Sequence, residues 1–88
     1  MIKILKFESD SCPQCKALSA TLERISKENK IDIKNIDIEE DNNQNLIRKY
    51  NIRSIPTLIF LNEDKEYNRL VGNQSYATIN KIINYDTI

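Results

Sequence analysis

The sequence has no histidine and no tryptophan, one glycine, two prolines and two cysteines. Each scarcity removes something. A structural zinc site takes four cysteine or histidine ligands, so two cysteines in one chain do not complete one; a site shared between two chains stays open. No apolar run approaches the roughly 20 residues of a membrane-spanning helix. Thirteen basic and thirteen acidic residues cancel, so neither nucleic acid nor a membrane surface is an expected partner. The N-terminal stretch Met1 to Phe7 is interrupted by Lys3 and Lys6 and is too short for a signal-peptide core. The expected location is therefore the cytoplasm, where thiols are kept reduced and a purely structural disulfide is not expected.

What is present fits one small domain, 1–88, expected as a monomer. A chain of this length buries roughly 60–65% of the surface it exposes when unfolded. Ile2 to Phe7 reads as a buried strand, β1. Leu18, Thr21, Leu22 and Ile25 fall at the spacing of one helical face, with Cys15 extending the stripe, so a helix α1 starts at the cysteines and runs to about Asn29. Pro13 suits its first position, where a missing N–H costs nothing. Ile31 to Ile38 gives a second strand region, β2. Asp41 is placed to cap a short helix, α2, with Leu46, Ile47 and Tyr50 on one face. Thr57 to Leu61 is an apolar strand, β3, and Asn62 to Lys65 a polar turn. Glu66 to Val71 returns as β4, which Gly72 ends. Ser75 caps α3, with Ala77, Ile79, Ile82 and Ile83 inward. The order βαβ-α-ββα predicts an α/β fold: a four-stranded mixed sheet, with a right-handed crossover in its βαβ unit and helices on both faces.

Both cysteines lie in Ser9 to Lys16, "SDSCPQCK". The start of a helix offers unpaired N–H groups and the positive end of its dipole, which favour negative charge on Cys12. Cysteines so placed in C-x-x-C motifs have pKa values of about 3.5–7.5 against ~8.5 for a free thiol, and the thiolate is the form that attacks a disulfide. Cys15, one turn further, lies under Cys12 and is placed to attack the mixed disulfide that results. A C-x-x-C beside a βαβ pattern reads as redox-active; two buried cysteines that merely lie close is the bland alternative.

The segment Ile52-Arg53-Ser54-Ile55-Pro56-Thr57 before "LIFL" resembles the stretch preceding the third core strand of thioredoxins, and "KYNIRSIPTLIFLNEDKEYNRLVG" keeps the resemblance over more than twenty residues. With "FESDSCPQCK" the likeness spans most of the chain, and the sequence resembles the thioredoxin and glutaredoxin-like families. The resemblance implies a thioredoxin fold and a protein-disulfide oxidoreductase that serves electron transport and cell redox homeostasis. It makes Cys12 the attacking thiolate, Cys15 the resolving thiol and Pro56 a cis-proline. Pro13, Gln14, Ile55, Pro56 and Gly72 would then meet the substrate, Ile55 through its backbone. No bound cofactor is implied beyond a redox-active Cys12–Cys15 disulfide. The implied partners are disulfide-containing proteins and either a thioredoxin-reductase-like or a glutathione-linked electron donor.

The departures from that pattern are informative. Thioredoxins usually begin with an extra strand and helix, whereas this sequence starts at β1. Ser11 stands where a Trp is usual. Pro13-Gln14 between the cysteines is closer to glutaredoxins, but "VGNQS" lacks the Gly-Gly and acid with which those proteins tend to hold glutathione. A glutathione-dependent glutaredoxin and a partner-binding module with the same fold are the alternative functions. Where thioredoxins usually bury an aspartate with a lysine near it, this sequence has Lys6, and the family spacing puts Asp37 at the second position. The resemblance thus suggests a charge-exchanged ion pair, Lys6–Asp37, that handles the proton of Cys15 or biases the thiolate; two solvated strand-end charges are the other reading.

Overall fold

A computed structural model describes residues 2–84; Met1 and residues 85–88, the two ends of the expected domain, lie outside the described residues. β1 (Ile2–Glu8) is covered on both faces, which is why its sequence does not alternate cleanly. Ile4 packs in one apolar layer and Leu5 and Phe7 in the other. β1 runs parallel to β2 (Asp32–Asp37) and antiparallel to β3 (Thr57–Asn62). β3 in turn pairs antiparallel with β4 (Lys65–Val71), giving the order β2-β1-β3-β4. The expected mixed sheet is formed.

α1 (Pro13–Asn29) makes the crossover from β1 to β2. Its stripe of Leu18, Leu22 and Ile25 closes over Ile4, Leu58 and Phe60, joined by Ile79 and Ile83 of α3 (Tyr76–Ile83). Each such side chain contributes about 1.5–3 kcal/mol by leaving water. On the other face α2 (Gln44–Lys49) brings Leu46 and Ile47, followed by Tyr50, against Leu5, Phe7, Ile36, Ile59 and Leu61. Helices therefore cover both faces, as the periodicity predicts.

The local differences have local causes. Asp41 does not cap α2: Asp41–Asn43 forms a turn of 3-10 helix, and α2 starts after it with no side-chain cap. Ser75 does cap α3, its hydroxyl accepting from Thr78 N–H at 3.2 Å. Ala77 is exposed, because Ile79 and Ile83, four residues apart, already define the inward face. The hairpin loop narrows to Glu63 and Asp64, both with positive φ, the backbone that a two-residue type I′ turn requires. The polar turn is where the sequence places it, and Asp64 suits positive φ; Glu63 is the residue whose side chain does not advertise that backbone.

Candidate active site

The sheet register brings the sequence-predicted residues to one end of the molecule. Phe7, one residue before the end of β1, is opposite Thr57 at the start of β3, and Thr57 is opposite Val71 at the end of β4. The loop that leaves β1 carries Cys12, the loop that enters β3 carries Ile55 and Pro56, and the loop that leaves β4 begins with Gly72. Three loops from three adjacent strands thus lie at the same end of the sheet.

Cys12 is the N-cap of α1 and Pro13 its first residue. The Cys12 sulfur accepts a hydrogen bond from Cys15 N–H at 3.1 Å, in the place usually taken by a serine or aspartate oxygen. Cys12 and Cys15 form a disulfide across a Cα–Cα distance of 5.2 Å, so the geometry for reversible closure is present. The two sulfur residues differ in access: Cys12 is 9% exposed and Cys15 1%. Pro13 and Gln14 between them are open to solvent.

The Ile55–Pro56 peptide is cis, as the resemblance implies. Pro56 is buried and Ile55 half-buried. Thr57 Oγ1 donates to Ser54 C=O at 2.6 Å and closes the loop that holds the proline. Gly72 N–H donates to Pro56 C=O at 2.8 Å, so the loop after β4 is tied to the cis-proline. Gly72 has a φ of +88°, and a Cβ there would meet no atom within 4 Å. Its role is conformational, not a matter of space. Beside Ile55 lies a shallow hollow of about 300 Å³, with Ile38, Ile47 and Ile52 among its lining residues.

Lys6 is where the resemblance puts it, beneath the cysteines, but with a different partner. Its side chain is 0% exposed, and Nζ donates to Cys15 C=O at 2.8 Å and to Ser19 Oγ at 2.5 Å. The expected Lys6–Asp37 pair is replaced by Lys6–Glu8, with Nζ 2.7 Å from Glu8 Oε1. The register explains the exchange. Asn35, not Asp37, lies opposite Lys6, while Asp37 lies opposite Glu8. Glu8 is two residues along the same strand and so on the same face as Lys6. The Asp37 carboxylate instead accepts from Glu39 N–H at 2.9 Å and holds the turn after β2.

Glu8 and Ser19 are the residues that sequence reasoning missed. Both had a signal. The period of two on β1 puts Glu8 beside Lys6, and four residues on a helix put Ser19 one turn below Cys15. Among the described residues no cluster of three or more histidine, cysteine or acidic side chains is arranged to hold a metal.

Comparison with known proteins agrees with this geometry. Residues 2–85 match the family model "Thioredoxin". The chain is 37% identical over 82 residues to a thioredoxin of Buchnera aphidicola, covering 91% of this chain and 74% of that one. It is 31% identical over 81 residues to a thioredoxin of Rickettsia felis, covering 92% and 77%. Among solved structures, a mutant thioredoxin from Halobacterium salinarum superposes with a TM-score of 0.89 at 24% identity, covering 99% of this chain and 75% of that one.

Proposed function

The chain belongs to the thioredoxin family and is a thiol–disulfide oxidoreductase, and on that footing we propose that Cys12 is the attacking and Cys15 the resolving thiol in the reduction of protein disulfides. One observation carries the assignment: Cys12 caps α1 with its sulfur, while Cys15 is sealed beneath it. A sulfur at a helix start meets backbone N–H groups that stabilise its anion. A sulfur that is buried is reached only by a group already bonded at Cys12.

In the forward direction the Cys12 thiolate attacks one sulfur of a substrate disulfide. The substrate S–S bond breaks, a Cys12–substrate disulfide forms and the first substrate sulfur leaves as a thiolate. Cys15 then attacks the Cys12 sulfur, the Cys12–Cys15 disulfide closes and the second substrate sulfur leaves. Two electrons pass from the dithiol to the substrate, and the exchange calls for no metal or bound cofactor. An extended substrate segment would lie along Ile55, with Pro13, Gln14, Pro56 and Gly72 around it and the hollow beside Ile55 as an apolar contact. The dithiol is regenerated by a thioredoxin-reductase-like partner or a glutathione-linked donor. This reading takes the protein to act as a monomer in the cytoplasm, in electron transport and redox homeostasis.

The test is dithiothreitol-driven reduction of insulin disulfides. Wild-type protein turns over and Cys12→Ser does not. Turnover that persists in Cys12→Ser removes the assignment. Saturable reduction of the disulfide by glutathione, with a glutathione adduct on Cys12, would move the protein to the glutaredoxin-like alternative.

A further inference from the structure

Lys6 is a lysine with no exposed surface, under a pair of sulfurs that gain negative charge on reduction. As an ammonium it has three N–H donors, and the structure supplies three acceptors: Glu8 Oε1 at 2.7 Å, Cys15 C=O at 2.8 Å and Ser19 Oγ at 2.5 Å. A neutral amine would have two donors for the same three acceptors. Ser19 Oγ donates its own proton to Cys15 C=O at 3.1 Å, so Lys6, Ser19 and the Cys15 carbonyl close a ring directly below the resolving cysteine. A buried charge is kept only where it is paired and hydrogen-bonded. Here the hydrogen bonds run to the backbone of Cys15 itself, while the neutralising carboxylate sits further out, with the Glu8 side chain 25% exposed.

We propose that Lys6 is a positioning residue that acts on Cys15 through its fixed charge, offsetting the burial that would otherwise keep the Cys15 thiol protonated. The idea rests on Cys15 being the resolving thiol. Burial in apolar surroundings disfavours a thiolate, and a nearby positive charge favours it. With Lys6 in place, Cys15 loses its proton to solvent water, and its sulfur attacks Cys12 within the mixed disulfide. The Cys12–substrate bond breaks and the substrate sulfur takes up a proton from water. Lys6 gives up no proton and changes no bond.

β1 supplies Glu8, and β2 supplies Asp37, opposite Glu8 but engaged with Glu39 N–H. β3 presents apolar Leu58 opposite Lys6, and α1 presents Ser19 and the two cysteines. α1 also carries Lys16 beside Cys15 and Glu23 one turn beyond Ser19, both exposed to solvent; the Lys6–Glu8 pair is the partly buried one, and its two members push in opposite directions.

That opposition gives the test. In a Cys12→Ser background the ionisation of Cys15 is followed by thiolate ultraviolet absorbance against pH, a readout that needs no reagent to reach the buried sulfur. Lys6→Met raises the Cys15 midpoint by about one pH unit or more, Lys6→Arg restores it, and Glu8→Gln lowers it. In the wild-type background, measured at a pH above the Cys15 midpoint of both proteins, the matching shift is a dithiol about tenfold more reducing in Lys6→Met, ~30 mV against glutathione. Shifts of the same sign in Lys6→Met and Glu8→Gln, or no shift, overturn the proposal, since a packing role gives no sign reversal. If Lys6→Met does not fold, the direction of the Glu8→Gln shift decides alone. Insulin turnover is a separate readout: its failure in wild type removes the reductase reading, whereas the Cys15 midpoint tests the charge whatever the substrate.

Discussion

Gly72 N–H is hydrogen-bonded to Pro56 C=O at 2.8 Å, so the only glycine of the chain is fastened to the cis-proline at the mouth of β3. Directly after β4 the backbone turns to positive φ, +88° at Gly72, a conformation that glycine adopts without strain. Gly72→Ala keeps the N–H and has room for its methyl. Its cost is therefore conformational, about 1–2 kcal/mol, or a Tm lowered by about 4–8 °C per kcal/mol in a domain of this size. Gly72→Asn is expected to cost less, because asparagine tolerates positive φ better. Thermal melts of the two variants check the order.

The resolving step can be isolated. Cys15→Ser leaves Cys12 able to attack but removes the group that releases the product. A one-to-one adduct between Cys12 and a disulfide substrate is expected to accumulate, visible as an intact mass that dithiothreitol reverses. Cys12→Ser forms none under the same conditions, because Cys15 is 1% exposed.

The Lys6–Glu8 pair also predicts an asymmetry in stability. Glu8→Gln leaves a fully buried ammonium without its counter-charge, whereas Lys6→Met leaves a carboxylate that water still reaches. Glu8→Gln should cost about 1–3 kcal/mol, more than Lys6→Met. Urea denaturation of the two variants measures the difference, and equal or reversed costs would contradict it.

α1 and α3 are joined by a polar clasp. The Tyr76 hydroxyl donates to Glu28 Oε1, Arg24 Nε lies 3.3 Å from Glu28 Oε2, and the Arg24 guanidinium sits 3.9 Å from the centre of the Tyr76 ring. The Tyr76 bond, with Arg24 adding to it, holds the Glu28 carboxyl below the usual carboxylate range. The same bond to Glu28 raises the Tyr76 phenol above its ordinary value. A depressed carboxylate stabilises above its unfolded pKa and loses that contribution as pH falls through its folded value. A raised phenol stabilises below its unfolded pKa and loses that contribution as pH rises through its folded one. Tyr76→Phe should flatten stability against pH at both ends, most simply seen as a shallower acid limb in the urea midpoint. An unchanged acid limb would show that the clasp contributes nothing.

The order of elements and the start of α1 were legible because they rest on short-range patterns: Pro13 after Cys12, the Leu18-Leu22-Ile25 stripe and the apolar run of β3. The cis bond at Pro56 came through resemblance, since an Ile-Pro pair alone favours trans. Two kinds of feature were harder to read. The turn over Asn62 to Lys65 was legible from its polarity, but its tight two-residue form needs positive φ at Glu63, which a glutamate does not advertise. The partner of Lys6 depends on strand register, which a spacing borrowed from relatives pointed to Asp37 and the pleat of β1 gives to Glu8. The exposure of Ala77 has the same origin: the inward face is set by what α3 meets, not by every apolar residue on it.

The sulfur of Cys12 has two jobs, capping α1 and reacting, and they share one hydrogen bond, from Cys15 N–H. A thiolate, a thiol and a disulfide sulfur accept that proton with different strength. The Cys15 amide is thus a built-in spectroscopic indicator. Its chemical shift and its rate of exchange with deuterated solvent should follow the bonding state of Cys12 through the catalytic cycle, with no label attached to the sulfur itself.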